Sequence, residues 1–184
     1  MDKYAKSNLN KIIVAVFLNI LLTFLLLYTF SHILGSHFYY TLYLCIALSI
    51  FINTILILTS NIILLKLNDA KKLPLEYSNK LETMIKELSN KYGIKTPEIR
   101  LLDVGTINSL SIGLSSDKSY ILITKGALDN LNHDELEYLL SYEILKISKR
   151  QTSLYTILTC TLGLIVILSD IFFRSIYKAI EKRG

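Results

Sequence analysis

The chain has 184 residues, of which 52% are hydrophobic, and a formal net charge of +5. That length holds one modest domain, or a small domain plus membrane segments, and the apolar excess favours the second. Charge is nearly balanced over residues 66–151, thirteen Lys and Arg against twelve Asp and Glu; the surplus lies in the tails, at Lys3, Lys6, Lys11 and at Arg174, Lys178, Lys182, Arg183. This flanks membrane segments and argues against nucleic acid as a partner, since no stretch interleaves aromatic residues with a basic cluster.

Residues 12–65 contain no Asp, Glu, Lys or Arg. As one helix the run would be roughly 80 Å long, far more than a ~30 Å hydrocarbon core needs, so it must fold back. Gly35-Ser36-His37 is the break, which predicts two spans, about 12–34 and 39–65, joined by a tight turn. A cleaved signal peptide would have a shorter apolar core followed by small residues. Tyr39, Tyr40 and Tyr43 suit an interfacial belt beside the turn, and His32 and His37 read as polar residues at that interface. Lysines precede the first span and follow the second (Lys66, Lys71, Lys72), and the turn has none. The positive-inside rule then makes the N-terminus and the middle of the chain cytoplasmic.

Residues 67–151 read as a small α+β domain. Pro74 can open a helix, Leu81, Ile85, Leu88 and Tyr92 keep helical spacing, and Gly93 is placed to end it. Residues 97–102 and 119–124 alternate like strands, with 109–114 a weaker strand between them, and Gly126-Ala127-Leu128 starts a short helix or turn. Asn132 with Glu135 is a capping-box pair, followed by a core-facing stripe of Leu136, Leu140, Ile144 and Ile147. Residues 154–173 are again apolar and predict a third span. Its exit onto Arg174, Lys178, Lys182 and Arg183 opposes the positive-inside expectation, so a re-entrant segment is the alternative. Cys45 and Cys160 lie inside apolar runs without metal-site spacing and read as packing residues. Lys-, Ile- and Asn-rich usage points to an AT-rich, bacterial genome.

The order and spacing of several pieces resemble the HtpX-type membrane zinc metallopeptidases, relatives of the CAAX prenyl proteases. They are the two-span hairpin after a basic N-terminus, Gly93-Ile94-Lys95-Thr96-Pro97, the segment from Ile107-Asn108-Ser109 to Gly113, Thr124-Lys125-Gly126-Ala127-Leu128, and the run from Asp134 to Lys146. The resemblance implies an α+β fold: a predominantly helical membrane protein with a transmembrane hairpin (1–66), a zincin-like, gluzincin-type domain (67–151) and a third apolar helix with a basic tail (152–184). It also implies zinc. Where such an enzyme has His-Glu-x-x-His, this chain has Tyr142-Glu143-Ile144-Leu145-Lys146.

By position, Glu143 is the remnant of the general base, and Tyr142 and Lys146 stand where the helix ligands would be. A phenol with a pKa near 10 is a poor ligand at neutral pH, and an ammonium has no lone pair to offer. At about 4 Å a single positive charge would repel a cation by about 4 kcal/mol per unit charge at an effective dielectric of 20. The family's third ligand, a Glu beyond a further membrane segment, has no counterpart before Gly184, so a C-terminally truncated member is expected. The expectation is therefore a pseudopeptidase with no zinc, in which either Lys146 takes the cation's place beside Glu143 or the two residues share a plain solvated helix face. Its partners would be the lipid bilayer and a peptide or another membrane protein. The peptide would add to an exposed strand at 119–124, with Asn108, Tyr120, Leu122 and Thr124 as the edge residues. An active metalloendopeptidase completed by ligands from elsewhere, and a small membrane scaffold, stay open as alternatives. The expected location is the bacterial plasma membrane with the middle domain cytoplasmic.

Overall fold

The computed structural model describes residues 3–33, 35 and 38–181. Ser36, His37, Lys182 and Arg183, which enter the expectations above, lie outside the described residues, as does the Tyr39 side chain. Ten elements follow in order: α1 (Lys3–Ile33), α2 (Phe38–Leu67), β1 (Lys71–Lys72), α3 (Leu75–Tyr92), β2 (Glu98–Leu102), β3 (Ser109–Ser115), β4 (Lys118–Thr124), α4 (Lys125–Asn130), α5 (His133–Ser148) and α6 (Gln151–Glu181). The chain divides into two compact units, residues 1–12 with 59–156 and residues 13–58 with 157–184.

The second unit inverts the polarity of a soluble bundle. α1 and α2 are each long and apolar enough to cross a membrane. Their apolar side chains point outward, with Phe17, Phe51 and Leu58 all more than half exposed, while Asn19, Thr23, Ser49 and Asn53 are buried. Inside, Asn19 Nδ2 donates to Asn53 Oδ1, and Asn53 Nδ2 donates to Thr23 Oγ1 (2.9 Å) and to the Ser49 carbonyl (2.8 Å). Water would not drive such an arrangement together. Lipid would, because amides and hydroxyls facing hydrocarbon have no other partners and small side chains let helices approach.

The first unit is built on a four-stranded sheet in the order β1-β2-β4-β3. β2 and β4 are parallel, and β3 and β1 pair antiparallel to their neighbours. Ile121 and Ile123 of β4 point at α3 and α5, where Ile85, Leu140 and Ile144 complete a core with no exposed surface. Pro74 occupies the N-cap of α3 and Gly93 its C-cap, at φ 64°, a left-handed backbone that glycine adopts without a Cβ penalty. Between α5 and α6 the same region is taken by a non-glycine, Arg150, at φ 57°.

Asn132 accepts from the Glu135 amide at 3.0 Å, and Glu135 Oε2 accepts from the Asn132 amide at 3.0 Å, a complete capping box. Asn132→Ala removes one half of it. The expected loss is about 1 kcal/mol, read as a lower thermal midpoint of the purified chain, with Asn132→Ser retaining most of the stability.

One expectation is overturned here. β4 does not offer an exposed edge, because β2 pairs along one side of it and β3 along the other. Tyr120, Leu122 and Thr124 therefore lie on the inner strand, and Leu122 is fully buried. The hairpin from β3 to β4 folds outward, so the strand bordering the sheet on that side is β3.

Candidate functional site

α5 carries the Tyr142-Glu143-Ile144-Leu145-Lys146 run from the end of its third turn through its fourth. Glu143 follows Leu140 by three residues and precedes Ile147 by four, which sets it on the same face as the apolar stripe. It is 2% exposed. A carboxylate withdrawn from water this far needs partners for its lone pairs. Ser109, the first residue of β3, donates from Oγ to Glu143 Oε1 at 3.1 Å. Lys146, one turn on, donates from Nζ to Oε2 at 2.8 Å. The lysine side chain is itself 16% exposed. Its ammonium also lies 5.2 Å from the ring centre of Tyr142, within cation–π range. Tyr142 is 53% exposed and gives the pair its solvent-facing wall.

Asn108 and Thr124 have structural work nearby. Thr124 Oγ1 donates to the Asn108 carbonyl (2.9 Å) and accepts from the Asn108 amide (2.9 Å) and the Ala127 amide (3.3 Å). Asn108 Oδ1 accepts from the Ser109 amide at 2.8 Å. Together these bonds cap α4 and set the start of β3, which is what delivers Ser109 to Glu143.

The outer side of β3 is partly covered from within the same unit. Gly113 donates its amide to Thr156 Oγ1 at 3.0 Å, and the Ser111 and Thr152 hydroxyls are hydrogen-bonded at 2.7 Å. All four residues are buried. The first two turns of α6 thus occupy the downstream half of β3, and Ser109-Leu110 is the half beside Glu143. Neither the serine at 109 nor the threonines at 152 and 156 carries a local signal of these partners; only their spacing, two hydroxyls four residues apart on each element's facing side for α6, hints at a shared face.

The side chains around Glu143 do not fit zinc. A tetrahedral site needs neutral or anionic N, S or O donors from at least three residues. Around this carboxylate stand a hydroxyl already donating to it and an ammonium with no lone pair. His133, ten residues earlier in α5, is about 15 Å away along the helix axis. Its Nδ1 lies 3.6 Å from Asp134 Oδ1. Among the described residues no group of three His, Cys, Asp or Glu could hold a metal ion.

No family model matches the chain. It is similar to proteins named Protease HtpX homolog: 36% identical over 124 residues to that of Dictyoglomus turgidum, covering 67% of this chain and 41% of the relative. The corresponding protein of Dictyoglomus thermophilum is 32% identical over 133 residues, 72% of this chain and 44% of the relative. That of Pyrococcus abyssi is 29% identical over 123 residues, 67% and 43%. The chain spans less than half the length of these relatives.

Proposed function

We propose, on the premise that this chain is an HtpX-like protease family member, that it is a membrane-anchored peptidase homologue without hydrolytic activity, in which a lysine ammonium replaces the catalytic metal. One observation carries the reading: Lys146 Nζ stands 2.8 Å from Glu143 Oε2, and both side chains are largely withdrawn from solvent. A general base must be free to take a proton from a metal-bound water. A carboxylate that accepts from an ammonium on one oxygen and from Ser109 on the other is held by the chain's own groups where a metal-bound water would have to approach. The ammonium supplies a positive charge beside Glu143, but no Lewis acidity and no open coordination position.

What such a protein retains is binding. The peptide-adding edge of this reading is β3, not β4, and its accessible part is the Ser109-Leu110 end beside Tyr142. A short extended segment, or the exposed end of a membrane protein, is the partner that this edge would take. The zincin-like arrangement of α5 against β3, the crossing of the membrane by α6, and a cytoplasmic middle domain in a bacterial plasma membrane belong to the same proposal. Supporting the membrane placement of the hairpin and the side of the middle domain are the lysines that flank the uncharged run and the inverted polarity of α1 and α2.

The test is metal content and proteolysis on the full chain purified in neutral detergent. We expect far less than one zinc per chain after dialysis, and no cleavage of an unfolded casein substrate. About one tightly bound zinc per chain that survives dialysis, or cleavage of the casein that a chelator abolishes, would overturn the reading, because zinc sites of this type hold their metal through at least three protein donors.

A further inference from the structure

Residues from two distant parts of the chain meet at the base of α1. Asn8 donates from Nδ2 to the Lys149 carbonyl at 2.8 Å. Lys149 Nζ lies 4.9 Å from the centre of the Tyr4 ring. Asn8 and Tyr4 precede Ile12, where the uncharged run begins, by about 6 and 12 Å along the helix. α1 is long and apolar enough to span a bilayer, so these residues fall at the depth of the headgroups or just outside it. The two contacts bring the C-terminal end of α5 to the same depth.

Charge at this clasp is of one sign. Lys3, Lys6 and Lys11 lie on α1, and Lys149 and Arg150 lie at the end of α5. α1 has no acidic residue from Lys3 to Ile33, and after Glu143 the next acidic residue is Asp170. Asp2 is outside the described residues. Glu143 is buried and held by Lys146. Among the described residues none of the five cations forms an ion pair with a carboxylate. Tyr4 is 64% exposed beneath Lys149, an amphipathic ring of the kind that settles at headgroup level.

We propose that this clasp is a seat for an anionic phospholipid headgroup, recognised by the ammonium groups of Lys149 and of Lys11, which shares the Tyr4 and Asn8 face of α1, with Tyr4 beside them and the other basic residues adding charge around the seat. The inference rests on the membrane-anchored part of the proposed function and not on the absence of hydrolysis. Basic residues next to a span attract anionic lipid with an energy that adds per charge and is screened by salt. The contacts at Lys149 and Tyr4 add a fixed geometry to that attraction by coupling two chain segments.

The experiment reconstitutes the full chain in nanodiscs containing equal phosphatidylcholine and phosphatidylglycerol and counts the lipids retained on ejection by native mass spectrometry. We expect phosphatidylglycerol to be retained in preference, the preference to shrink at high salt, and Lys3→Gln/Lys6→Gln/Lys149→Gln to lower it by on the order of a hundredfold. The corresponding Lys→Arg triple variant, which keeps charge, should retain it and shows that the site tolerates change. Equal retention of the two lipids overturns the proposal, as does a preference untouched by the Gln triple variant. Inorganic phosphate displacing the lipid at equal concentration also overturns it, since the seat would then be for a free anion. A chain released from bilayers by alkaline carbonate would instead defeat the membrane reading itself.

Discussion

Lys146→Ala should lower the stability of the chain by about 3 kcal/mol, the lower end of what breaking a buried ion pair costs, because Lys146 keeps some contact with water. The loss is the burial cost of the carboxylate left behind more than the attraction that disappears. Ser109 alone would then face a carboxyl group that is 2% exposed. The double variant Glu143→Leu/Lys146→Met removes both charges at similar volume, and such replacements are often neutral or stabilising. With Lys146→Met and Glu143→Leu as the single variants, we therefore expect a double-mutant cycle in which the second substitution recovers most of what the first lost. Thermal unfolding in neutral detergent measures it. A Lys146→Ala chain within about 0.5 kcal/mol of the parent would mean that the pair behaves as a solvated surface contact. The proposed replacement of the metal by an ammonium would then lose its energetic basis.

Gly126→Ala should be comparably damaging. A Cβ at this position would run into the Gly105 carbonyl and would stand 2.8 Å from the Thr106 carbonyl oxygen. Neither side can retreat easily. Gly126 donates its amide to the Val104 carbonyl at 3.0 Å, its own carbonyl accepts from Asn130 Nδ2 at 2.8 Å, and Thr124 grips Asn108 on both backbone groups. Backbone-to-backbone overpacking of this kind costs about 3 kcal/mol or more. The strain would be passed along residues 105–108 to Ser109, so loss of the Ser109–Glu143 bond should accompany it. Gly105→Ala is the control: its Cβ would meet nothing within 4 Å, and the change should stay within about 0.5 kcal/mol. Equal effects of the two substitutions would show that the approach of Gly126 to residues 105–106 does not constrain the fold.

Much of the chain was legible locally. The uncharged run from Ile12 to Leu65 with its glycine break implied a helical hairpin, and α1 and α2 run over it. Pro74, Gly93, Asn132 and Glu135 marked helix ends through chemistry confined to a few residues; α3 begins and ends, and α5 begins, where those residues stand. Residues 97–102, 109–114 and 119–124 alternated as strands and form β2, β3 and β4. The two-residue β1 escaped notice, since Lys71-Lys72 has no pattern of its own and exists only by pairing with Arg100 and Leu101. Tyr142, Glu143 and Lys146 were found from position along α5, because helical spacing alone puts Glu143 and Lys146 one turn apart.

Strand order was not legible in that way. β4 has the stronger alternation, yet it lies inside the sheet and the weaker β3 borders it, because the parallel pairing of β2 with β4 leaves the β3 hairpin nowhere to go but outward. The sequence by itself determined the apolar helical hairpin, the helix caps and the placing of a phenol and an ammonium on either side of Glu143 along α5, all written in spacings of four residues or fewer or in an unbroken absence of charge. Only the tertiary structure decided that Ser109, 34 residues away, holds Glu143, that Thr156, 43 residues from Gly113, covers half of the strand edge, and that Lys149 meets Asn8 across 141 residues. Those partners are selected by how the layers pack. A hydroxyl or amide carries no local mark of which distant group it will meet until burial removes water as the alternative.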